Sequence, residues 1–420
     1  MEPVEKPEKL GFSQEGIHAL EQGIERYVTS GRAAGLVTLL ARHGEAASFK
    51  SYGYRDLSAK EPMTKDTIFQ LHSMTKPVVG AAMMMLYEEG AWKLDDPITK
   101  FIPEFENLKV LTGVDADGEM IVEDVKRPPN MRELMNHTAG FGYGLIDTNP
   151  VDKAIQDRVL REVTSSQELV ERIEDIPLLY QPGEGWAYSL VFELQGHVIE
   201  KISGQSLGAF LKERMFDPLG MMDTGFQIPE EDIGRQSKMY RWDAENGRLV
   251  HIGPDSPWFP FVPDPTRTPS FESGGGGLVS TASDFARFAQ MVVNRGELDG
   301  VRILKPETVD LMLSDSMPEG VYMSPPGSGG AWEGMSFGLG WGLVAEPETV
   351  GALVGEGSAL WGGAASTWFW VDPKNDLIFI GLVHCFWAGC DIAGGAYGKE
   401  QRFFHRSANL VNDALAAADE

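Results

Sequence analysis

Cysteine is nearly absent from this chain: its 420 residues hold two, Cys385 and Cys390. Two cysteines cannot build a disulfide framework. A Cys-x4-Cys pair without histidines at ligand spacing is also a poor zinc site. Buried or idle thiols are the expectation. Positive charge is scarce as well. Lys and Arg number 36 against 62 Asp and Glu, for a net charge of -26. Nucleic acids and anionic membrane surfaces are bound through concentrated Lys and Arg, so neither is expected as a partner. The acidic balance serves solubility. No apolar run approaches the roughly 18 residues that span a bilayer; PVVGAAMMMLYEEGAW (77–92) comes nearest. The stretch MEPVEKPEKLGFSQEG has no apolar core of a secretory signal, so a cytoplasmic location is expected. There is no H-E-x-x-H, and the eight histidines are scattered. Neither a metal nor a cofactor is expected.

What is present is patterned. SQEGIHALEQGIERYVTSG (13–31) reads as a helix capped by Ser13, with Ile17, Leu20, Ile24 and Tyr27 on one face. Residues 33–56 read as a hairpin turning near His43-Gly44. In FQLHSMTKPVVGAAMMMLYEEG (69–90) an extended entry leads into a helix that is apolar all round, hence buried, stopping at Gly90. Helical runs separated by Pro and Gly loops fill 91–274, and 228–272 reads as irregular. Residues 274–296 return to a strand and a helix, with a capping box from Thr281 to Asp284. The end is strand-rich, turning at Asp372-Pro373-Lys374-Asn375, and closes on a helix at 402–418. Strands at both ends with helices between imply an α/β (α+β) fold. Its antiparallel sheet, flanked by helices, is formed by 1–76 and 275–420, and a mainly helical domain (77–274) is inserted between them. The cleft should lie where the two meet.

Two serines compete for attention. SGQSLGAF (203–210) contains Gly204-Gln205-Ser206-Leu207-Gly208, the G-x-S-x-G pattern of a nucleophile elbow. An elbow needs a strand before its serine, but LQGHVIEKISG reads as a helix ending at Gly204. Ser206 then caps the next helix. The other serine lies in Ser73-Met74-Thr75-Lys76. Serine is a weak nucleophile until a base takes its proton. A Ser-x-x-Lys on a helix sets the base one turn away on the same face. The helix N-terminus and burial both disfavour a protonated Lys76. The bland alternative is a capping serine with a solvated lysine; a lysine entering an otherwise uncharged, buried helix argues against it. Tyr188, in QPGEGWAYSL, sits where a loop enters a helix and can exchange protons with Lys76. Trp361-Gly362-Gly363 reads as opening a strand along which a substrate lies. The Ala364 and Ser73 amides are candidate oxyanion donors.

In this order the elements resemble the serine β-lactamase-like superfamily with the class C β-lactamase fold. The resemblance extends to LDDPITKFIPEF, MRELMNHTAGF, YQPGEGWAYS and GGGGLVSTASDFARFAQMV, most of the chain. It is nearest to family VIII carboxylesterases and related acyltransferases. The resemblance implies Ser73 as acylated nucleophile, Lys76 as its base and Tyr188 as proton relay. Two positions depart from the β-lactamase pattern. Trp361 stands where those enzymes carry the lysine of Lys-Thr-Gly, and Leu190 stands where an asparagine follows the tyrosine. An indole and a leucine suit a neutral acyl or alcohol group rather than a β-lactam carboxylate. A small-molecule ester is therefore the expected substrate. Acyl transfer, β-lactam hydrolysis and D-amino-acid-specific peptidase or amidase action are the alternatives. Tyr143 is a lesser candidate for the cleft wall, and His137 a structural brace.

Overall fold

Residues Gly35–Arg42 (β1) and Glu45–Asp56 (β2) pair as an antiparallel hairpin. His43 and Gly44 turn it with φ of 54° and 76°, the left-handed pair that matches strand twist in a two-residue loop. The computed structural model describes residues 2–144, 149–159, 163–253, 264–324, 331–351, 354–386 and 402–416. A short strand, Glu61–Pro62 (β3), extends the hairpin at one edge. The rest of the sheet comes from the far end of the chain: Met335–Phe337 (β4), Gly342–Val344 (β5), Ala359–Gly362 (β6), Trp368–Asp372 (β7) and Leu377–Val383 (β8). The order is β4-β5-β6-β7-β8-β1-β2-β3, antiparallel throughout.

Both faces of the sheet are covered. Residues Gly35–Ala41 of β1 are all buried, the mark of a strand sandwiched between layers. Successive side chains of β7 point to opposite faces. Phe369 meets Phe285 of α5 (Ala282–Val293) edge-on at 4.8 Å. Trp368 and Trp370 on the other side both donate indole N–H to Ser407 Oγ of α6 (Arg402–Ala416) at 3.2 Å. The opening helix α1 (Gln14–Thr29) packs beside α6, its N-cap Ser13 accepting from the Gly16 amide. Between the two sheet-forming ends lie the buried helix α2 (Thr75–Glu88), α3 (Val191–Ser203), α4 (Leu207–Leu211) and shorter helices. One continuous apolar core runs through sheet and helices. The boundary expected at 76/77 falls inside α2, and that at 274/275 inside a glycine run against α3.

Four local expectations are corrected. Trp361 and Gly362 close strand β6 rather than open it. Segment 228–272 is not wholly irregular: it holds a hairpin, Tyr240–Asp243 with Arg248–His251, paired to Cys385 and Phe386. The Thr281 hydroxyl does cap α5, but Asp284 does not return the bond. Its carboxylate instead accepts from the Asp223 amide and the Thr224 hydroxyl, fixing a distant loop. Cys385 is buried but disulfide-bonded rather than an idle thiol; Cys390 lies outside the described residues.

The G-x-S-x-G serine is a cap. Gly204 ends α3 at φ 70°, and the exposed Ser206 accepts from the Ala209 amide at 3.3 Å at the start of α4. Ser206→Ala is expected to cost about 1 kcal/mol of stability and leave the chemistry expected of Ser73 intact. Thermal unfolding and an activity assay on one preparation check both; a folded Ser206→Ala that no longer acylates would overturn it.

Candidate active site

Ser73 lies in a single 3-10 turn, His72–Met74, immediately before α2. His72 takes φ 49°, a conformation rare for a non-glycine residue. Such strain persists where surroundings enforce it, commonly at functional sites. The turn is locked from outside. Leu71 pairs with the Leu278 carbonyl, and its own carbonyl accepts from Thr367 Oγ1 at 3.1 Å. Gly363 is forced by this packing. A Cβ there would lie 2.2 Å from Thr367 Oγ1 and 2.4 Å from the Leu71 carbonyl oxygen. Its glycine serves close approach of the strand end to the Ser73 turn, not only access for a substrate.

The spacing delivers the expected contact. Lys76 Nζ lies 3.1 Å from Ser73 Oγ. It also donates to the Gly275 carbonyl at 2.6 Å and lies 3.0 Å from Tyr143 Oη. Lys76 is 1% exposed. Burial lowers its pKa to about 7, against a smaller upward pull from Glu193. A neutral amine has two N–H bonds and one lone pair. With one N–H held by Gly275, the lone pair can face the Ser73 hydroxyl, the arrangement a base requires.

Tyr188 offers Lys76 its ring face, with Nζ 4.8 Å from the ring centre. The direct bond belongs to Tyr143. Burial pushes the Tyr188 phenol well above its ordinary pKa, and the neighbouring Ser73 hydroxyl and Trp361 pull the other way. Tyr143 and Tyr188 meet edge-on at 5.1 Å, and Trp361 packs on Tyr188 at 5.6 Å. Leu190 is 2% exposed at the N-cap of α3, behind this wall. Gly362 is exposed, while Ser73, Tyr143 and Ala364 are half-buried. Strand β5 pairs with Ala359 and Leu360, so among the described residues it leaves the edge at Trp361 and Gly362 unpaired. Among the described residues, neither the Ser73 nor the Ala364 amide donates to a backbone carbonyl outside regular elements.

His137 braces the wall. Its Nδ1 accepts from the Ser189 amide at 3.2 Å and pairs with Ser189 Oγ at 2.9 Å, which puts the ring proton on Nε2. Trp186, Tyr188, Phe192 and Phe337 surround the ring at 5.1–5.4 Å. Burial, with the Lys76 charge nearby, holds His137 neutral. His384 is likewise structural: Nε2 accepts from the Gln70 amide at 2.9 Å, and Nδ1 donates to the Ser237 carbonyl at 3.0 Å. The reading from residues alone missed Glu193 and the Gly275 carbonyl. A lone carboxylate in the apolar run VFELQGHVI, and four successive glycines at 274–277, were the available signals.

The antiparallel sheet with helices on both faces, and a cleft-side Ser-x-x-Lys at the start of a buried helix, define a β-lactamase/transpeptidase-like protein. The chain belongs to the Beta-lactamase family, whose model matches residues 20–386. It is 35% identical to an uncharacterized protein of Mycobacterium tuberculosis (strain CDC 1551 / Oshkosh), over 90% of this chain and 93% of that protein. It is 30% identical to Esterase EstB of Burkholderia gladioli, over 85% and 88% of the two chains. Among solved structures it is similar to EstCE1, described as a hydrolase with promiscuous acyltransferase activity. That likeness has a TM-score of 0.76 at 24% identity and covers 94% of this chain and 98% of that one. No helix of the described residues is long and apolar enough to cross a membrane.

Proposed function

We propose that the chain is a serine carboxylesterase that hydrolyses neutral, short-acyl esters through an acyl-enzyme on Ser73. The observation that carries this reading is the buried Lys76 amine 3.1 Å from Ser73 Oγ, its pKa lowered by burial to about 7. Lys76 takes the Ser73 proton as the hydroxyl attacks the ester carbonyl. The Ser73 and Ala364 amides receive the developing oxyanion. Tyr188 passes a proton to the leaving alcohol and then draws one from the incoming water. The free edge at Trp361 and Gly362 takes the substrate, with Tyr143 on the opposite side. Trp361 and Leu190 offer no charge for a carboxylate to pair with, which favours a neutral ester over a β-lactam. The similarity to Esterase EstB supports the same class.

The test is intact-mass analysis after exposure to a panel of esters and β-lactams, wild type beside Ser73→Ala. Acyl adducts from short esters, confined to the wild type, are the expected result. Adducts from β-lactams alone would replace esterase with β-lactamase. Supplying an alcohol acceptor during turnover reads acyl transfer directly.

A further inference from the structure

The first turn of α3 carries a carboxylate that the proposed reaction does not use. Glu193 is the third residue of that helix, where a glutamate ordinarily turns back to the N-cap amide. Here the N-cap is Leu190, whose amide donates to the Gly142 carbonyl at 3.1 Å. Glu193 turns instead toward the 273–275 segment. Its Oε1 accepts from Ser273 Oγ at 2.7 Å. The strap that follows Ser273 carries the Gly275 carbonyl, which accepts from Lys76 at 2.6 Å. The fit is too close for any side chain. A Cβ on Gly275 would lie 2.5 Å from Glu193 Oε1 and 3.2 Å from Tyr143 Oη, and one on Gly274 would lie 2.3 Å from the Phe192 carbonyl oxygen. Glu193 is 9% exposed, and its Oε2 has no hydrogen-bond partner among the described residues. Buried polar atoms kept only for structure are normally satisfied. A half-satisfied buried carboxylate at this place points to a use for its charge.

We propose that Glu193 is a positioning residue for Lys76: through Ser273 it pins the Ser273–Gly275 strap so that the Gly275 carbonyl orients the amine, and its carboxylate is the counter-charge of the protonated lysine. The proposal rests on the reading of Ser73 and Lys76 given above. The other titratable groups facing Lys76 are Tyr143, Tyr188, His72 and His137. Burial keeps both histidines and the Tyr188 phenol uncharged near neutral pH. Glu193 is the carboxyl acting on Lys76 among the described residues: its charge pulls the lysine pKa up, while burial pushes its own pKa up.

The experiment is the pH profile of kcat/KM for a short-chain aryl ester in Glu193→Gln, beside wild type and Ser73→Ala. Removing the anion makes Lys76 easier to deprotonate. The acid limb is therefore expected to move to lower pH by about one unit. The plateau is expected to fall about tenfold or more as the strap loosens. Glu193→Asp keeps the charge and is expected to return the limb toward its wild-type position. A purely structural carboxylate would lower melting temperature and rate without moving the limb. An unmoved limb in folded Glu193→Gln overturns the proposal. If that variant does not fold, Ser273→Ala takes its place. Losing that hydrogen bond makes Glu193 less acidic, so the limb is expected to shift the same way by less, and no shift overturns the proposal. Acylation retained in Ser73→Ala sinks the underlying esterase reading instead. An inert Ser73→Ala with an unmoved limb sinks the role of Glu193 alone.

Discussion

Ser73→Ala is expected to lower turnover of a short-chain aryl ester by about a thousandfold or more and to remove the acyl adduct from the intact-mass spectrum. The reason is local. Ser73 is the half-buried aliphatic hydroxyl lying 3.1 Å from a buried amine; the other hydroxyl beside that amine, at 3.0 Å, is the Tyr143 phenol. Ser206, the other motif serine, is exposed, and its Oγ is occupied as the cap of α4. The loss should be chemical rather than structural. Without the Ser73 hydroxyl, Lys76 still has the Gly275 carbonyl and Tyr143 as partners. The turn before α2 is held by Leu71 and Gly363, not by the serine hydroxyl. Thermal unfolding of the variant should match wild type within about 2 °C, since surface-like changes away from packing features cost little. Full activity in a folded Ser73→Ala would end the esterase assignment to this serine.

Lys76→Met is expected to reduce the acylation rate by about 100- to 10,000-fold, the range a positioned general base contributes. Methionine fills similar space at a position that is 1% exposed, so a cavity does not confound the result. The substitution leaves the Gly275 carbonyl without its donor, which costs stability. It also removes a buried amine, which offsets part of that cost. The pH profile separates chemistry from folding. On the proposed reading the base is the neutral form of Lys76, whose pKa burial lowers to about 7. Activity is then expected to fall as the amine becomes protonated at lower pH and to reach a plateau at higher pH. Lys76→Met should lose this acid limb along with the rate. A limb that survives in the variant would assign the titration to another group.

The parts of the site visible in the sequence were those fixed by local rules. The Ser73 to Lys76 contact follows from helical spacing, the capping role of Ser206 from the glycine before it, and the β1–β2 turn from His43-Gly44. What escaped was set by residues far apart in the chain. The Gly275 carbonyl reaches Lys76 across 199 positions, and Tyr143 reaches it across 67. No spacing rule links them. The capping box at Thr281 was half right because Asp284 was recruited by a loop some 60 residues away. Gly363 carried a correct signal with an incomplete reason, since the atoms crowding it belong to the Ser73 turn and to Thr367. Glu193 resembled an ordinary first-turn glutamate until the Leu190 amide was seen bonded elsewhere. The Pro-rich 228–272 segment hid a hairpin because its strands are short and paired to the far end of the chain.

The sheet has a further consequence for how the protein is made. Its β1–β8 pair joins Leu36 to Val383. A ribosome therefore delivers the first hairpin, the serine and its lysine long before the strand that completes them. Through most of synthesis β1 presents a bare, apolar edge, the kind of surface that recruits other chains. Long-range pairing of this sort is slow and leaves the growing polypeptide dependent on chaperones. It also delays the chemistry. The wall carrying Trp361 and Gly363 emerges late, so the surroundings of Ser73 stay unassembled until that stretch has been made.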